Sequence, residues 1–175
     1  MTKKDKSKRL AYLLRHDPSY NFPKGGWRRV LDLVKNHGYT RSELKDIVDS
    51  DDKGRYEFSQ DNQSIRARQG HSVNVDVELE ILEPPEILYH GTALRFLDSI
   101  KAGGIKRMSR LYVQLSDNPE LAKKVGERHG KPVVLEIDTK RMTKDGVVFK
   151  KSRNGIWMTE YVDPGYINFN NTIFY

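Results

Sequence analysis

The sequence predicts an α+β protein of two small lobes, a winged-helix layout followed by a mixed sheet-and-helix lobe. Three observations carry this reading. Three helical patterns run into a hairpin pattern in the first half of the chain. The pattern changes at Glu83-Pro84-Pro85-Glu86. Beyond it, short strands alternate with short helices. Two adjacent prolines make a stiff extended linker, so the lobes divide as residues 1–83 and 84–175.

In the first lobe, Leu10, Leu13 and Leu14 recur at helical spacing, and Arg15 and His16 close that helix before Asp17-Pro18. A second helix is expected over Trp27 to Asn36, burying Val30, Leu31 and Val34 and placing Trp27 in the core. Thr40 followed by Glu43 has capping-box spacing, so a third helix starts at Arg41 and turns Leu44, Ile47 and Val48 inward. Tyr56 and Phe58 alternate, a polar turn follows at Asp61-Asn62, and Ile65 and Ala67 alternate in turn, which is a hairpin. Period two puts Arg66 and Arg68 together on the face opposite Ile65 and Ala67. The alternation from Val73 to Ile81 then predicts a half-exposed strand.

In the second lobe, ILYHGT predicts a short strand, and ALRFLDSIKAG a helix capped by Thr92 and ended by Gly103-Gly104. LYVQLS predicts a strand and Pro119 to Arg128 a helix, with proline suited to its first turn. PVVLEI, GVVF and GIWMTEYV supply further strands. Gly25-Gly26 has the look of a turn. No internal repeat or low-complexity tract is present.

Composition narrows the classes. The 175 residues carry a net charge of +7, which suits an anionic partner such as a phosphate backbone. The chain has no cysteine, so disulfides and thiolate metal sites are excluded. No apolar run approaches the ~20 residues of a spanning helix, and the charged start passes straight into a helical pattern. A cytoplasmic protein without signal peptide or membrane contact is expected.

The usual nucleotide signatures are missing: neither GxGxxG after a strand nor GxxxxGK[ST] occurs, and no paired histidine spacing suggests zinc. Four short strings remain. Leu13-Leu14-Arg15-His16 has an ordinary reading as a cationic helix end. Ile65-Arg66-Ala67-Arg68-Gln69-Gly70-His71-Ser72 would ordinarily be a solvated strand face. Leu88-Tyr89-His90-Gly91-Thr92 ends a strand in a polar turn, and Val125-Gly126-Glu127-Arg128-His129-Gly130 closes a basic helix on glycine.

Together and in this order, with GGW and the closing GIWMTEYVDPGYI, these strings resemble the RNA 2′-phosphotransferase family, from Ser7 to about Ile167. The resemblance implies a winged-helix lobe joined to an ADP-ribosyltransferase-like lobe that binds NAD. It implies transfer of an internal RNA 2′-phosphate, as at a spliced tRNA junction, to NAD as a consumed co-substrate. An RNA-phospho-ADP-ribose adduct then resolves into 2′-hydroxyl RNA and ADP-ribose 1″,2″-cyclic phosphate, nicotinamide having left in the first step. By the same resemblance Arg15, His16, Arg66 and Arg128 form the catalytic set. His90, Gly91, Thr92, Ser99, Gln114 and Ser116 fall in the NAD site, and Arg68 and His71 against the RNA. No metal is implied, and a monomer is expected.

The residue types agree with that chemistry. The attacking group is the substrate's own phosphate, so no enzymic nucleophile is needed. Arginines clamp phosphate oxygens bidentately and better than lysines. An imidazole titrates near neutrality, so His16 can hydrogen-bond the phosphate or pass a proton. Two positions depart from the family pattern: Gln114 stands where a histidine is usual, and Gly25 where an acidic residue precedes Gly-Trp. Two other readings compete: a winged-helix regulator without chemistry, and an ADP-ribosyltransferase acting on terminal nucleic-acid phosphates. The first leaves the second lobe without a role, and its recognition helix would carry Glu43, Asp46 and Asp49 toward a polyanion.

Overall fold

The structure is a computed structural model that describes residues 2–175. These form two compact units, one reaching Leu79 and one spanning Glu80–Tyr175. The division falls earlier in the chain than the proline pair, because Glu80–Ile81 already pairs within the second unit.

The first unit opens with α1 (Lys3–Arg15), nucleated by a capping box between Thr2 and Asp5. Strand β1 (Arg28–Arg29) leads directly into α2 (Val30–His37), which stops at Gly38 with a left-handed φ of 72°. Helix α3 (Arg41–Asp49) starts at the Thr40–Glu43 capping box. Strands β2 (Tyr56–Phe58) and β3 (Ser64–Ala67) form the hairpin, with Tyr56 opposite Ala67 and Phe58 opposite Ile65. β1 adds to the free edge of β3, giving the order β1-β3-β2. Leu10, Leu13 and Leu14 pack with Leu33, Leu44, Ile47, Tyr56 and Ile65 in one core.

Two expectations for this unit are corrected. Helix α2 begins at Val30 and not Trp27, because Arg28 and Arg29 are committed to pairing with Ile65 and Ser64. The later start turns Leu33 into the core and leaves Leu31 51% exposed. The strand expected from Val73 to Ile81 survives only as Glu80–Ile81. The Glu78 amide donates to Asp76 Oδ1 at 2.9 Å and Glu78 takes a φ of 58°, so the extended chain breaks there.

The second unit contains β4 (Glu80–Ile81), β5 (Ile87–Ala93), α4 (Leu97–Gly103), β6 (Ile105–Lys106), β7 (Val113–Leu115) and α5 (Pro119–Gly126). It continues through β8 (Pro132–Asp138), α6 (Thr139–Lys144), β9 (Lys150–Lys151), β10 (Trp157–Thr159), β11 (Tyr161–Val162) and β12 (Ile167–Phe174). Its sheets run β4-β9-β10-β7, β11-β6 and β12-β8-β5, with the pairings inside them antiparallel. Leu88, Val113, Leu115, Leu135, Ile137, Met142, Phe149 and Trp157 lie in the shared core.

Here too the structure corrects the reading. Thr92 is no helix cap: it is a buried residue of β5 opposite Val133, and a 3-10 turn over Leu94–Phe96 precedes α4. GVVF forms no strand. Its neighbours Lys150 and Lys151 pair instead with Met158 and Trp157. GIWMTEYV splits at Glu160 into β10 and β11, which belong to different sheets. Helix α5 ends at Gly126, and Glu127–His129 continues as a 3-10 turn. α6 and β12 were not anticipated. Among the described residues no helix is long and apolar enough to cross a membrane.

Candidate functional site

In the first unit the end of α1 and the segment after β3 are laced together. Arg15 is the last residue of α1 and only 8% exposed; its Nη2 donates to Gln69 Oε1 at 3.4 Å and its guanidinium lies over the Tyr56 ring. His16 caps the helix, with Nδ1 2.8 Å from Ser72 Oγ. The amides of Ser72 and Val73 donate to the Arg15 carbonyl, which satisfies a helix-end acceptor and fixes the following side chains. His71 is buried beside the Gly26 turn, where a methyl group on Gly26 would sit 3.3 Å from its Nε2.

Arg66 is 4% exposed, yet its charge is compensated on several sides. Nε donates to Glu57 Oε1 at 2.7 Å, and Nη1 to the Gly25 carbonyl at 3.1 Å and Glu78 Oε2 at 3.3 Å. The Trp27 ring lies beneath it, 4.4 Å from guanidinium carbon to ring centroid. Among the described residues Nη2 is the nitrogen of this guanidinium that donates to no partner. Glu57 also accepts from Arg68 Nη2 at 3.3 Å, so one carboxylate ties both arginines of the strand face. Arg68 is half-buried and also donates to the Gly54 carbonyl. The face expected to be solvated is therefore an ordered charge network, and Trp27 supports an arginine where core packing was expected.

In the second unit, β5 carries His90, Gly91 and Thr92. His90 Nδ1–H donates to the Gln114 carbonyl at 3.2 Å. Burial holds the His90 imidazole below its ordinary titration range and the nearby His129 adds to this, against the opposing Gln114 carbonyl. Near neutral pH the ring is neutral with its proton on Nδ1, which leaves Nε2 as an acceptor. Helix α5 lies directly on this strand. A methyl group on Gly91 would overlap the Ala122 carbonyl oxygen, and one on Gly126 would stand 2.5 Å from the Thr92 carbonyl oxygen. The 3-10 turn that follows exposes Arg128.

Arg110 is a neighbour of Arg128 that the sequence reading missed. Burial, and then the charge of Arg128, push its guanidinium below its ordinary value. Ser116 Oγ is engaged locally, accepting from the Asn118 amide and donating to the Asn118 carbonyl. Ser99 stands exposed on α4 and makes no hydrogen bond to the His90–Gln114 pair.

The structure thus gathers Arg15, His16, Arg66, Arg68 and His71 in the first unit, and His90, Gly91, Thr92, Gln114 and Ser116 around β5 in the second. The contacts of Glu57, Trp27, Gln69 and Ser72 with these arginines and His16 were not anticipated. For Glu57 a signal existed: the hairpin register places it opposite Arg66.

The chain matches the model of the RNA 2′-phosphotransferase, Tpt1 / KptA family over residues 2–161. It is 46% identical over 168 residues to a protein of Acaryochloris marina named "Probable RNA 2'-phosphotransferase", covering 91% of this chain and 93% of that one. A protein of the same name from Pectobacterium carotovorum is 43% identical over 173 residues, covering 94% and 93%. Another from Fusobacterium nucleatum is 43% identical over 169 residues, covering 91% and 94%.

Proposed function

Starting from the premise that this chain belongs to the RNA 2′-phosphotransferase (Tpt1 / KptA) family, we propose that it removes an internal RNA 2′-phosphate by transferring it to NAD. We take the first unit as a winged-helix lobe that holds the RNA phosphate and the second as an ADP-ribosyltransferase-like lobe that holds NAD. A tRNA splice junction is a natural source of such a phosphate. The observation that carries the reading is Arg66, a nearly buried guanidinium whose Nε and Nη1 are anchored while Nη2 remains open. A side chain so immobilised loses little entropy when it takes an oxyanion, which is how preorganised donors contribute to catalysis.

NAD supplies an electrophilic anomeric carbon with nicotinamide as the leaving group. A phosphate oxygen of the RNA bonds to that carbon as the bond to nicotinamide breaks. A hydroxyl of the same ribose then bonds to phosphorus as the RNA 2′ oxygen departs and takes up a proton. Arg15, Arg66 and Arg128 bind the phosphate oxygens and stabilise the charge that builds up in this second step. His16, positioned by Ser72, contacts the phosphate or carries the proton. Arg68 and His71 support the RNA side.

The second unit's donor set fits a dinucleotide. Neutral His90 offers Nε2 to a ribose hydroxyl, Arg110 and Arg128 suit a pyrophosphate, and Thr92, Gln114, Ser116 and Ser99 complete the polar lining we assign to NAD. The test is to incubate the protein with RNA carrying one internal 2′-phosphate, with and without NAD. Nicotinamide release should require both. Loss of the phosphate without NAD would make the enzyme an ordinary phosphatase and overturn this reading.

A further inference from the structure

One face of α1 carries a row of side chains that leads up to His16, and its members before His16 serve neither the core nor the phosphate network. Lys4, Lys8, Tyr12 and His16 follow one another at intervals of four, the spacing that makes neighbours on a helix surface. The row holds to its end, because the His16 amide still donates to the Tyr12 carbonyl at 2.8 Å and the two rings lie 6.3 Å apart. Leu10, Leu13 and Leu14 fill the core from other positions, so packing does not require an aromatic residue at position 12. Tyr12 is nevertheless 52% exposed.

The lysines are equally unaccounted for. Lys6, on a different face of the helix, pairs with Glu43. Among the described residues Lys4 and Lys8 enter no ion pair, and the Asp5 carboxylate, which feels the Lys8 charge, is hydrogen-bonded by Thr2. Like charges four residues apart repel and weaken a helix, so the pair does not serve the helix itself. Two exposed cations followed by an exposed aromatic ring combine the two elements that bind single-stranded nucleic acid: attraction to backbone phosphates and a platform for a base.

We propose that the Lys4–Lys8–Tyr12 row is a track for the single-stranded RNA flanking the phosphorylated nucleotide, with Lys4 and Lys8 on backbone phosphates and a base stacked on Tyr12. It rests on the RNA reading above, and it assigns to α1 the nucleotides next to the one His16 serves. The track makes affinity depend on RNA beyond the reacting phosphate, and it makes that part of the affinity salt-sensitive.

The experiment compares a labelled short single-stranded RNA carrying one internal 2′-phosphate with a dinucleotide carrying the same phosphate. The proteins are wild type, the double variant Lys4→Ala/Lys8→Ala, Tyr12→Ala and Tyr12→Phe. The double lysine variant should bind the longer RNA about tenfold more weakly, and its salt slope should fall by about 1.4, the value for two single-strand phosphate contacts. Tyr12→Ala should weaken binding about tenfold, and Tyr12→Phe should retain most of it. Dinucleotide turnover should be unchanged in all of them. Unaltered binding and salt slope would overturn the track, and so would equal losses on the dinucleotide. Failure of the activity reading would look different: wild type would bind the longer RNA through this row yet release no phosphate from it.

Discussion

Gly126 of α5 lies directly over Thr92 of β5: a methyl group on Gly126 would stand 2.5 Å from the Thr92 carbonyl oxygen. The relationship is repeated one turn earlier, where Gly91 faces the Ala122 carbonyl. Backbone therefore rests on backbone, and the strand bearing His90 sets the position of the turn bearing Arg128. The two glycines found in the sequence strings thus serve a close approach between helix and strand.

Gly91→Ala and Gly126→Ala should each destabilise the protein by about 2–3 kcal/mol, since backbone atoms yield less readily than side-chain ends. Thermal melting followed by circular dichroism should show a fall of about 4–12 °C. Melting within a degree of wild type would mean that α5 moves off β5 at little cost.

His90 should titrate below the ordinary histidine range. Burial and His129 hold the folded-state value below the unfolded one, so the folded chain binds fewer protons as the pH drops. Stability from this group is complete above about pH 6.5, the unfolded value, and is lost as the pH falls through the folded value. Imidazole nitrogen NMR, assigned with His90→Asn, should show a neutral ring protonated on Nδ1 at pH 7. A ring protonated on Nε2 would contradict the bond to the Gln114 carbonyl.

Gln114→His should fold normally and turn over at the wild-type rate when NAD is saturating, with the change confined to the KM for NAD. The carbonyl of this residue holds His90, and its backbone pairs with Met158 across β7 and β10, so neither depends on the side chain. A large loss of turnover at saturating NAD would place Gln114 nearer the chemistry than this geometry does.

Local signals were readable from the sequence, and distant pairings were not. The Thr40–Glu43 capping box and the Asp61-Asn62 turn act within a few residues, so α3 and the hairpin could be placed without knowing the rest of the fold. The alternation from Val73 onward promised a strand, but a side-chain bond from Asp76 and the Gly25 amide on the Asp76 carbonyl decided otherwise. β12 escaped because its register on β8 shifts between Asn168 and Ile173, where the polar Asn170-Asn171 interrupts any period. Of the site, the strings exposed the arginines, but not the Trp27 ring or the Glu78 carboxylate that support Arg66 from outside its hairpin.

The Arg66 network gives the sharpest separation between a phosphotransferase and a module that only binds. Removing one oxyanion donor typically costs about 10²–10³ in rate, and the second step, where phosphorus is most crowded and charged, should feel it most. Arg66→Ala and Arg128→Ala should therefore accumulate RNA joined through its phosphate to ADP-ribose, visible as a shifted band with radiolabelled RNA. Arg66→Lys should not rescue, because an ammonium cannot donate to Glu57 and Gly25 together while stacking on Trp27. Arg68→Ala should be milder, since Arg68 joins the network through Glu57 and otherwise donates to the Gly54 carbonyl. Losing Arg66 also deprives the half-buried Glu57 carboxylate of the closer of its two arginine partners, so each variant's melting temperature must be measured alongside its rate. Wild-type rates in both Arg66→Ala and Arg128→Ala would remove these residues from the chemistry.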